Sequence, residues 1–308
     1  MKKVLLVDIG GTNIRYAYSN DLDFKLTEAK QEPIENTNEL DKALFNLLAP
    51  KEADISALVI SAAGPKFNNS IKMTNRDYSI DSEHLKSKYG IESVHILNDW
   101  EAIAYSFAQI SDKDSTIIKK GNQFNNNSLF IGPGTGLGAS VLIDGKTVLA
   151  TELGNTNLST DALLKNYELI NYSNLNNLED ALSGKGLSKI YSYLHNKSIS
   201  SEEIFELARK GDQISIDIIS AFIKTLANVL SDLSLTFLPG KGIYIVGSLA
   251  RSLVEFIKLK EFNEMFLFKK SNSHLEILNA IEICVVTKEH MSLYGNLNYF
   301  NLIQKGLI

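Results

Sequence analysis

Val4-Leu5-Leu6-Val7-Asp8-Ile9-Gly10-Gly11-Thr12-Asn13-Ile14-Arg15-Tyr16-Ala17-Tyr18 is the stretch that decides the fold. Val4 to Val7 is a continuous apolar run, as in a strand buried on both faces. After the glycines, polar and apolar residues alternate, so the stretch reads as strand, glycine turn, strand: a β-hairpin. A Gly-Gly pair gives the backbone access to positive φ and to close approach by a ligand. Exposed N–H groups in such a turn form an anion-binding nest, and Thr12 adds a hydroxyl donor. The spacing matches neither G-x-G-x-x-G nor G-x-x-x-x-G-K-[ST], which argues against Rossmann and P-loop nucleotide sites. Asp8 ends the buried strand beside this turn, where a carboxylate is well placed to hold a hydrated Mg²⁺.

The same grammar returns downstream. Leu129-Phe130-Ile131 leads into Gly132-Pro133-Gly134-Thr135-Gly136-Leu137-Gly138, and Ala139-Ser140-Val141-Leu142-Ile143 follows. This echo is an internal duplication at domain scale. Two glycine hairpins, one in each half, suit a polyphosphate gripped from both sides. Ile243-Tyr244-Ile245-Val246-Gly247-Ser248-Leu249 is again strand then glycine, a third expected nucleotide contact.

Between the hairpins, Asn38 to Leu48 reads as an amphipathic helix with Leu40, Leu44, Leu47 and Leu48 on one stripe. Ala57 to Ile60 is another buried-strand run, closed by the small-residue loop Ser61-Ala62-Ala63-Gly64-Pro65. Met73-Thr74-Asn75 and Tyr78 then supply hydrogen-bonding groups. Val94-His95-Ile96-Leu97 reads as a strand and Glu101 to Ala108 as a helix, with Asn98-Asp99-Trp100 at the junction. A carboxylate there lies at the carboxyl end of a sheet, where open α/β folds bind ligands. Taken alone, Asp99 reads as a helix N-cap.

In the second half, Ser111 to Ser128 reads as a polar connection between domains. Thr151-Glu152-Leu153-Gly154-Asn155-Thr156-Asn157 reads as a polar loop, and Leu178 to Leu187 as a helix interrupted by glycines. Without context, Glu152 and Glu179 read as solvated charges. Ser200-Ser201-Glu202-Glu203 is a capping-box start, and Gln213 to Leu238 has the spacing of a core helix. Gly295 to Ile303 reads as helix or strand.

A chain of 308 residues has room for two domains, each with its own core. Its 44% apolar and 22% charged content is that of a globular protein. A net charge of -5 gives no electrostatic footprint for nucleic acid or an anionic membrane. The pairs Lys119-Lys120 and Lys269-Lys270 read as solvated. A single cysteine, Cys284, excludes an intramolecular disulfide and a thiolate zinc cluster, and its apolar surroundings predict an inert buried thiol. The apolar run at the N-terminus meets Asp8 after four residues, too short for a signal peptide or membrane span. A cytoplasmic protein is the expectation.

In this order, Asp8-Ile9-Gly10-Gly11-Thr12-Asn13, Leu97-Asn98-Asp99, the run Gly132 to Gly138 and Leu182-Ser183-Gly184-x-Gly186-Leu187 resemble the bacterial glucokinase family of the hexokinase–actin–Hsp70 superfamily. The resemblance covers nearly the whole chain. It implies an α/β protein of two ribonuclease-H-like (actin-like ATPase) domains flanking an interdomain cleft. Residues 1–108 with about 296–308 would form the smaller domain, and 109–295 the larger domain, carrying most of the ATP site.

The resemblance also implies roles. Asp99 matches the catalytic base, and Asn98 a sugar-hydroxyl ligand. Glu152 and Glu179 match two sugar-binding glutamates, with Asn155 and Asn75 as further sugar contacts. Asp8, Ile9, Gly10, Gly11, Thr12 and Asn13 match the first phosphate loop, and Gly134, Thr135 and Gly136 the second. Gly247 falls at the adenosine loop, although Ser248 replaces a usual glycine. The family usually reads Glu-Gly-Gly-His where this chain has Glu152-Leu153-Gly154-Asn155, which bears on the choice of sugar.

The implied reaction is phosphorylation of glucose O6 by ATP with Mg²⁺ near Asp8 and no dedicated protein ligands to the metal. The implied partners are a hexose and ATP, with neither nucleic acid nor membrane, and a homodimer is possible. The alternatives are a kinase for another hexose, a catalytically impaired sugar-binding regulator, and an actin- or Hsp70-like ATPase, for whose extra subdomains the chain leaves no room.

Overall fold

The structure is a computed structural model describing residues 3–20, 25–49, 55–74, 77–157, 163–169 and 175–308. The chain forms two compact units. One comprises Met1–Ile110, Lys146–Ala150 and Lys288–Ile308, the other Ser111–Gly145 and Thr151–Thr287.

In the first unit the elements are β1 (Lys3–Ile9), β2 (Asn13–Asn20), β3 (Lys30–Pro33), α1 (Thr37–Leu48), β4 (Ile55–Ala62), β5 (Lys66–Phe67), β6 (Ser70–Lys72), β7 (Ser79–Asp81), α2 (Ser82–Tyr89), β8 (Ser93–Asn98) and α3 (Asp99–Tyr105). The main sheet runs β3-β2-β1-β4-β8, and β5, β6 and β7 form a small separate sheet. β1 pairs antiparallel with β2 and parallel with β4, which in turn pairs parallel with β8.

Alternation along β1 divides its side chains between two cores. Leu5, Val7 and Ile9 join Leu40, Leu44 and Leu85 of α1 and α2. Val4 and Leu6 join Ala102 and Tyr105 of α3 and Leu293, Leu297 and Phe300 of the C-terminal helix Met291–Gln304. Asp8 shares the parity of Val4 and Leu6, so it belongs to the face covered by that terminal helix. Gly295 allows the helix to approach closely, since a Cβ there would overlap the Ala102 carbonyl of α3. The stretch from Gly295 is therefore helical. The sequence left helix and strand open because Asn interrupts its apolar spacing.

In the second unit the elements are β9 (Ser115–Lys119), β10 (Ser128–Pro133), β11 (Leu137–Ile143), α4 (Leu178–Ala181), α5 (Gly184–His195), α6 (Ser201–Arg209), α7 (Gln213–Phe237), β12 (Gly242–Ile245), α8 (Ser248–Leu253), α9 (Leu259–Phe266), α10 (Asn272–Ala280) and β13 (Ile283–Val286). The strands run in the order β11-β10-β12-β13-β9. β10 pairs antiparallel with β11 and parallel with β12, repeating the arrangement of β2, β1 and β4. The hairpin echo in the sequence is thus a repeated topology.

Three readings are corrected here. The polar stretch from Ser111 contains β9, which pairs antiparallel with β13. Of its two apolar residues only Ile118 is buried, Ile117 being exposed, so the strand carries little apolar signal among polar neighbours. Lys119 is buried at 7% exposure, so it is not a solvated charge. Its Nζ donates to the carbonyls of Lys120, Asn279 and Ile281 at 3.3, 3.1 and 2.8 Å. Finally, Leu178 to Leu187 is two helices, α4 and α5. Ser183 caps the second by accepting the Gly186 N–H, and a Cβ on Gly186 would collide with the Asp180 carbonyl.

α7 is the helix among the described residues that is long and apolar enough to cross a membrane. It is mostly buried, and Phe222, Leu226 and Leu230 lie in the core of this unit. Cys284 is buried in β13, where burial and neighbouring Glu282 push its thiol up to about 12.

Candidate active site

The parallel strands of the first unit end side by side. Asp8 of β1 is in register with Ser61 of β4, and Ala62 with Asn98 of β8. The carboxyl edge of the sheet thereby carries Asp8, Ser61, Asn98 and, one residue on, Asp99. This is where an open parallel sheet presents ligands to its loops.

Asp8 is 6% exposed. Its Oδ2 meets Arg15 Nη1 at 3.0 Å, and its Oδ1 accepts the Ser61 hydroxyl at 3.1 Å. The adjacent turn closes through the Gly10 N–H, which donates to the Asn13 carbonyl at 2.9 Å. Asn13 Nδ2 donates to Thr12 Oγ1 at 2.9 Å, and Gly11 and Thr12 are exposed. Ile9, by contrast, is fully buried, so its side chain serves the core and only its backbone belongs to the loop.

The cap of α3 is Asn98, not Asp99. Asn98 Oδ1 accepts the Trp100 N–H at 2.8 Å, and Glu101 Oε2 accepts the Asn98 N–H at 2.7 Å, a reciprocal capping box. Asn98 Nδ2 also donates to the Gly64 carbonyl at 2.8 Å, tying the helix start to the loop after β4. Lys66 faces the capping Glu101 at 3.3 Å. Asp99 is the first helical residue, half-buried, with Oδ1 accepting the Trp100 N–H at 3.0 Å. Asn75 lies outside the described residues.

In the second unit the glycine loop closes through the Gly134 N–H, which donates to the Gly136 carbonyl at 2.8 Å. The Gly134 carbonyl accepts the Gly184 N–H of α5 at 2.7 Å. Thr135 is exposed at the tip. The Gly10-Gly11 pair, given access to positive φ, does not take it, nor do Gly134 and Gly136, whereas Gly247 has φ 121°. What Gly136 supplies is space: a Cβ there would sit 2.5 Å from Glu179 Oε2.

Glu179 is half-buried, and its Oε2 accepts the Leu137 N–H at 3.0 Å. Asn155 Nδ2 donates to Glu152 Oε2 at 3.3 Å, and both residues are exposed. The Leu178 N–H donates to the Thr156 carbonyl at 2.7 Å. Glu152, Asn155, Glu179 and the Gly134–Gly136 loop therefore lie in one neighbourhood of this unit. Gly247 borders the same strand ends, its Cβ position 3.7 Å from the Pro133 carbonyl.

Among the described residues, no group of three or more His, Cys, Asp or Glu is placed to hold a metal ion. Both oxygens of Asp8 already have protein partners. That donor set fits a hydrated magnesium held chiefly by nucleotide phosphates and touched by Asp8 through water; it does not fit a dedicated protein cage. Arg15, Ser61, Asn296 and the backbone of Leu137 are parts of the site that the sequence reading did not single out. Only the alternation that places Arg15 opposite Asp8 on the hairpin offered a signal.

These two glycine-hairpin α/β units define a protein of the actin-like ATPase fold. The glucokinase of Balamuthia mandrillaris in complex with glucose superposes with TM-score 0.77 at 20% identity, over 97% of this chain and 93% of the other. A ROK family glucokinase of Streptomyces griseus in complex with glucose and AMPPNP gives 0.68 at 19% identity, over 96% and 98%. In sequence, the glucokinase of Colwellia psychrerythraea is 29% identical over 97% of this chain and 96% of its own length. The Glucokinase family model matches residues 5–302, and the chain belongs to that family.

Proposed function

We propose that this protein is an ATP-dependent glucokinase, transferring the γ-phosphoryl group of ATP to O6 of glucose. The observation that carries this reading is Asp99, a carboxylate at the start of α3, on the same sheet edge as Asp8 and the first glycine turn. A primary hydroxyl is a poor nucleophile, and a carboxylate within reach accepts its proton as transfer proceeds. Asp99 is assigned that role.

Phosphoryl transfer asks little covalent chemistry of the protein; positioning and charge neutralisation dominate. The N–H groups of Gly10, Gly11, Thr12 and Asn13 and of Gly134, Thr135 and Gly136 would hold the phosphates, and Gly247 would border the adenosine. Magnesium bound with the nucleotide would neutralise charge on the phosphate oxygens, and Asp8 would be the residue that helps to hold it through water. Asn98, Glu152, Asn155 and Glu179 would hold the sugar hydroxyls, with Asn75 as a further contact. Glucose bound to the Balamuthia and Streptomyces proteins supports the sugar class, and AMPPNP bound to the latter supports the donor. A cytoplasmic enzyme feeding glycolysis, acting as a monomer or homodimer, completes the reading.

Leu153 and Asn155 favour a second reading in which another hexose is preferred. An Asn amide reaches less far than imidazole and carries no proton charge. A coupled assay of ADP release over a panel of hexoses tests both. Glucose should give the highest kcat/KM. A different best hexose would shift the assignment to that sugar, and turnover with none would overturn the kinase reading.

A further inference from the structure

The loop assigned to phosphates and the carboxylates assigned to sugar meet at one backbone residue, Leu137. Its N–H donates to Glu179 Oε2 at 3.0 Å. One residue earlier, a Cβ on Gly136 would lie 2.5 Å from Glu179 Oε2 and 3.0 Å from its Cδ, so a side chain there moves the carboxylate. On its other side, the Leu137 carbonyl occupies the space that a Cβ on Gly154 would take. Gly154 sits in the turn Leu153–Asn155, directly after Glu152. The Leu178 N–H binds the Thr156 carbonyl at 2.7 Å, joining that turn to the helix that carries Glu179. The Gly184 N–H binds the Gly134 carbonyl at 2.7 Å, joining the far side of the loop to α5.

These contacts form a closed circuit. Glu179 is pinned by the loop, the loop by α5, and the Glu152–Asn155 turn by Leu137 and α4. Hydrogen bonds and backbone contacts of this kind carry a displacement from one group to the next. A nucleotide that shifts the Gly134–Gly136 backbone must shift Glu179 or break its bond to Leu137.

We propose that Gly136-Leu137 couples the two substrates: Glu179 registers the position of the glycine loop, so that the occupant of one site sets the affinity of the other. The inference rests on the glucokinase reading above. Glu179 acts as a positioning residue for the loop in addition to its assigned contact with sugar. Gly136 is required because any side chain would displace the Glu179 carboxylate. If Gly136 served only close approach by phosphate, enlarging it would weaken nucleotide and leave sugar binding alone.

Calorimetric titration of glucose into the full chain, with and without saturating MgAMPPNP, tests this without turnover. In the unaltered protein the nucleotide analogue should change glucose affinity by about 5- to 10-fold. Gly136→Ala should weaken glucose at least about 10-fold without nucleotide and lose that change.

Glu179→Asp, which draws the carboxylate away from Leu137, provides a second test should Gly136→Ala fail to fold by circular dichroism. It should weaken MgAMPPNP in the absence of sugar, since the glycine loop loses the carboxylate that holds the Leu137 N–H. The proposal is overturned by Gly136→Ala binding glucose as the unaltered protein does, or by unchanged nucleotide affinity in Glu179→Asp. An unaltered protein that binds no glucose would remove the glucokinase reading itself, and this inference with it.

Discussion

Asn296 decides where the Ser61 hydroxyl points. Asn296 Nδ2 donates to the Val7 carbonyl at 2.8 Å and to Ser61 Oγ at 3.1 Å, with both side chains fully buried. Ser61 Oγ therefore accepts from Asn296 and has one proton to give. The Val7 carbonyl is already served and lies 3.4 Å away, while Asp8 Oδ1 lies 3.1 Å away. The proton goes to Asp8, so the C-terminal helix helps to hold a carboxylate at the far end of the sheet.

Ser61→Ala should therefore act in two ways. It removes a buried donor to a carboxylate and leaves Asn296 without one of its acceptors, at a cost of about 1–3 kcal/mol in urea unfolding. It should also raise the KM for MgATP more than that for glucose. A stability loss with both KM values unchanged would make Ser61 purely structural.

Asp99→Asn should lower kcat about 100- to 10,000-fold, the range for loss of a general base. Its amide oxygen still has the Trp100 N–H to accept, and the cap at Asn98 is untouched, so unfolding should shift little. Nucleotide affinity, measured by calorimetry, should stay within about 3-fold, since the reading gives Asp99 no phosphate contact. Substantial activity in this variant would refute its assignment as the base.

Asn155→His should move the glucose KM more than the ATP KM. Asn155 holds Glu152 Oε2 at 3.3 Å, so the change acts first on a carboxylate assigned to sugar. Steady-state kinetics with each substrate varied in turn gives the answer. Equal shifts in both constants would place Asn155 outside the sugar contacts.

Lys119 makes a prediction about pH. Burial, partly opposed by Glu282, lowers its ammonium from 10.5 to about 8. Between those values the unfolded chain holds more protons at this residue than the folded one, so stability rises with pH across that window and levels off above it. Urea midpoints measured from pH 8 to 10.5 should show the increment, and Lys119→Met should lack it. Lys119→Met should also be less stable below that window, because the carbonyls of Asn279 and Ile281 lose their donor. An identical pH dependence in the two proteins would rule out Lys119 as its source.

Much was legible along the chain because it is local. The apolar runs Val4–Val7 and Leu129–Ile131, each closed by glycines, specify strand and turn from adjacent residues alone. The leucine stripe of α1 and the long apolar spacing of α7 likewise carry their own period. The motif order around Asp8, Asp99 and Gly134–Gly136 was sufficient to suggest the family. Local reading failed where a distant partner decides the outcome. β9 is a strand because β13 pairs with it, and Lys119 is buried because the end of α10 supplies carbonyls.

The sequence by itself determined the strand-and-glycine grammar, its duplication, and the residue types available for phosphoryl transfer, since short-range sterics and hydrophobic period are written in neighbouring residues. Only the tertiary structure decided what those residues are held by. It gave the cap of α3 to Asn98 and left Asp99 on the helix proper. It turned Ser61 toward Asp8 through Asn296, a residue more than two hundred positions away along the chain. It set Glu179 against Gly136 and Leu137, so that what Gly136 supplies is space beside a carboxylate. Each of these depends on hydrogen-bond partners and excluded volume contributed by elements far apart in sequence, which packing alone brings within reach.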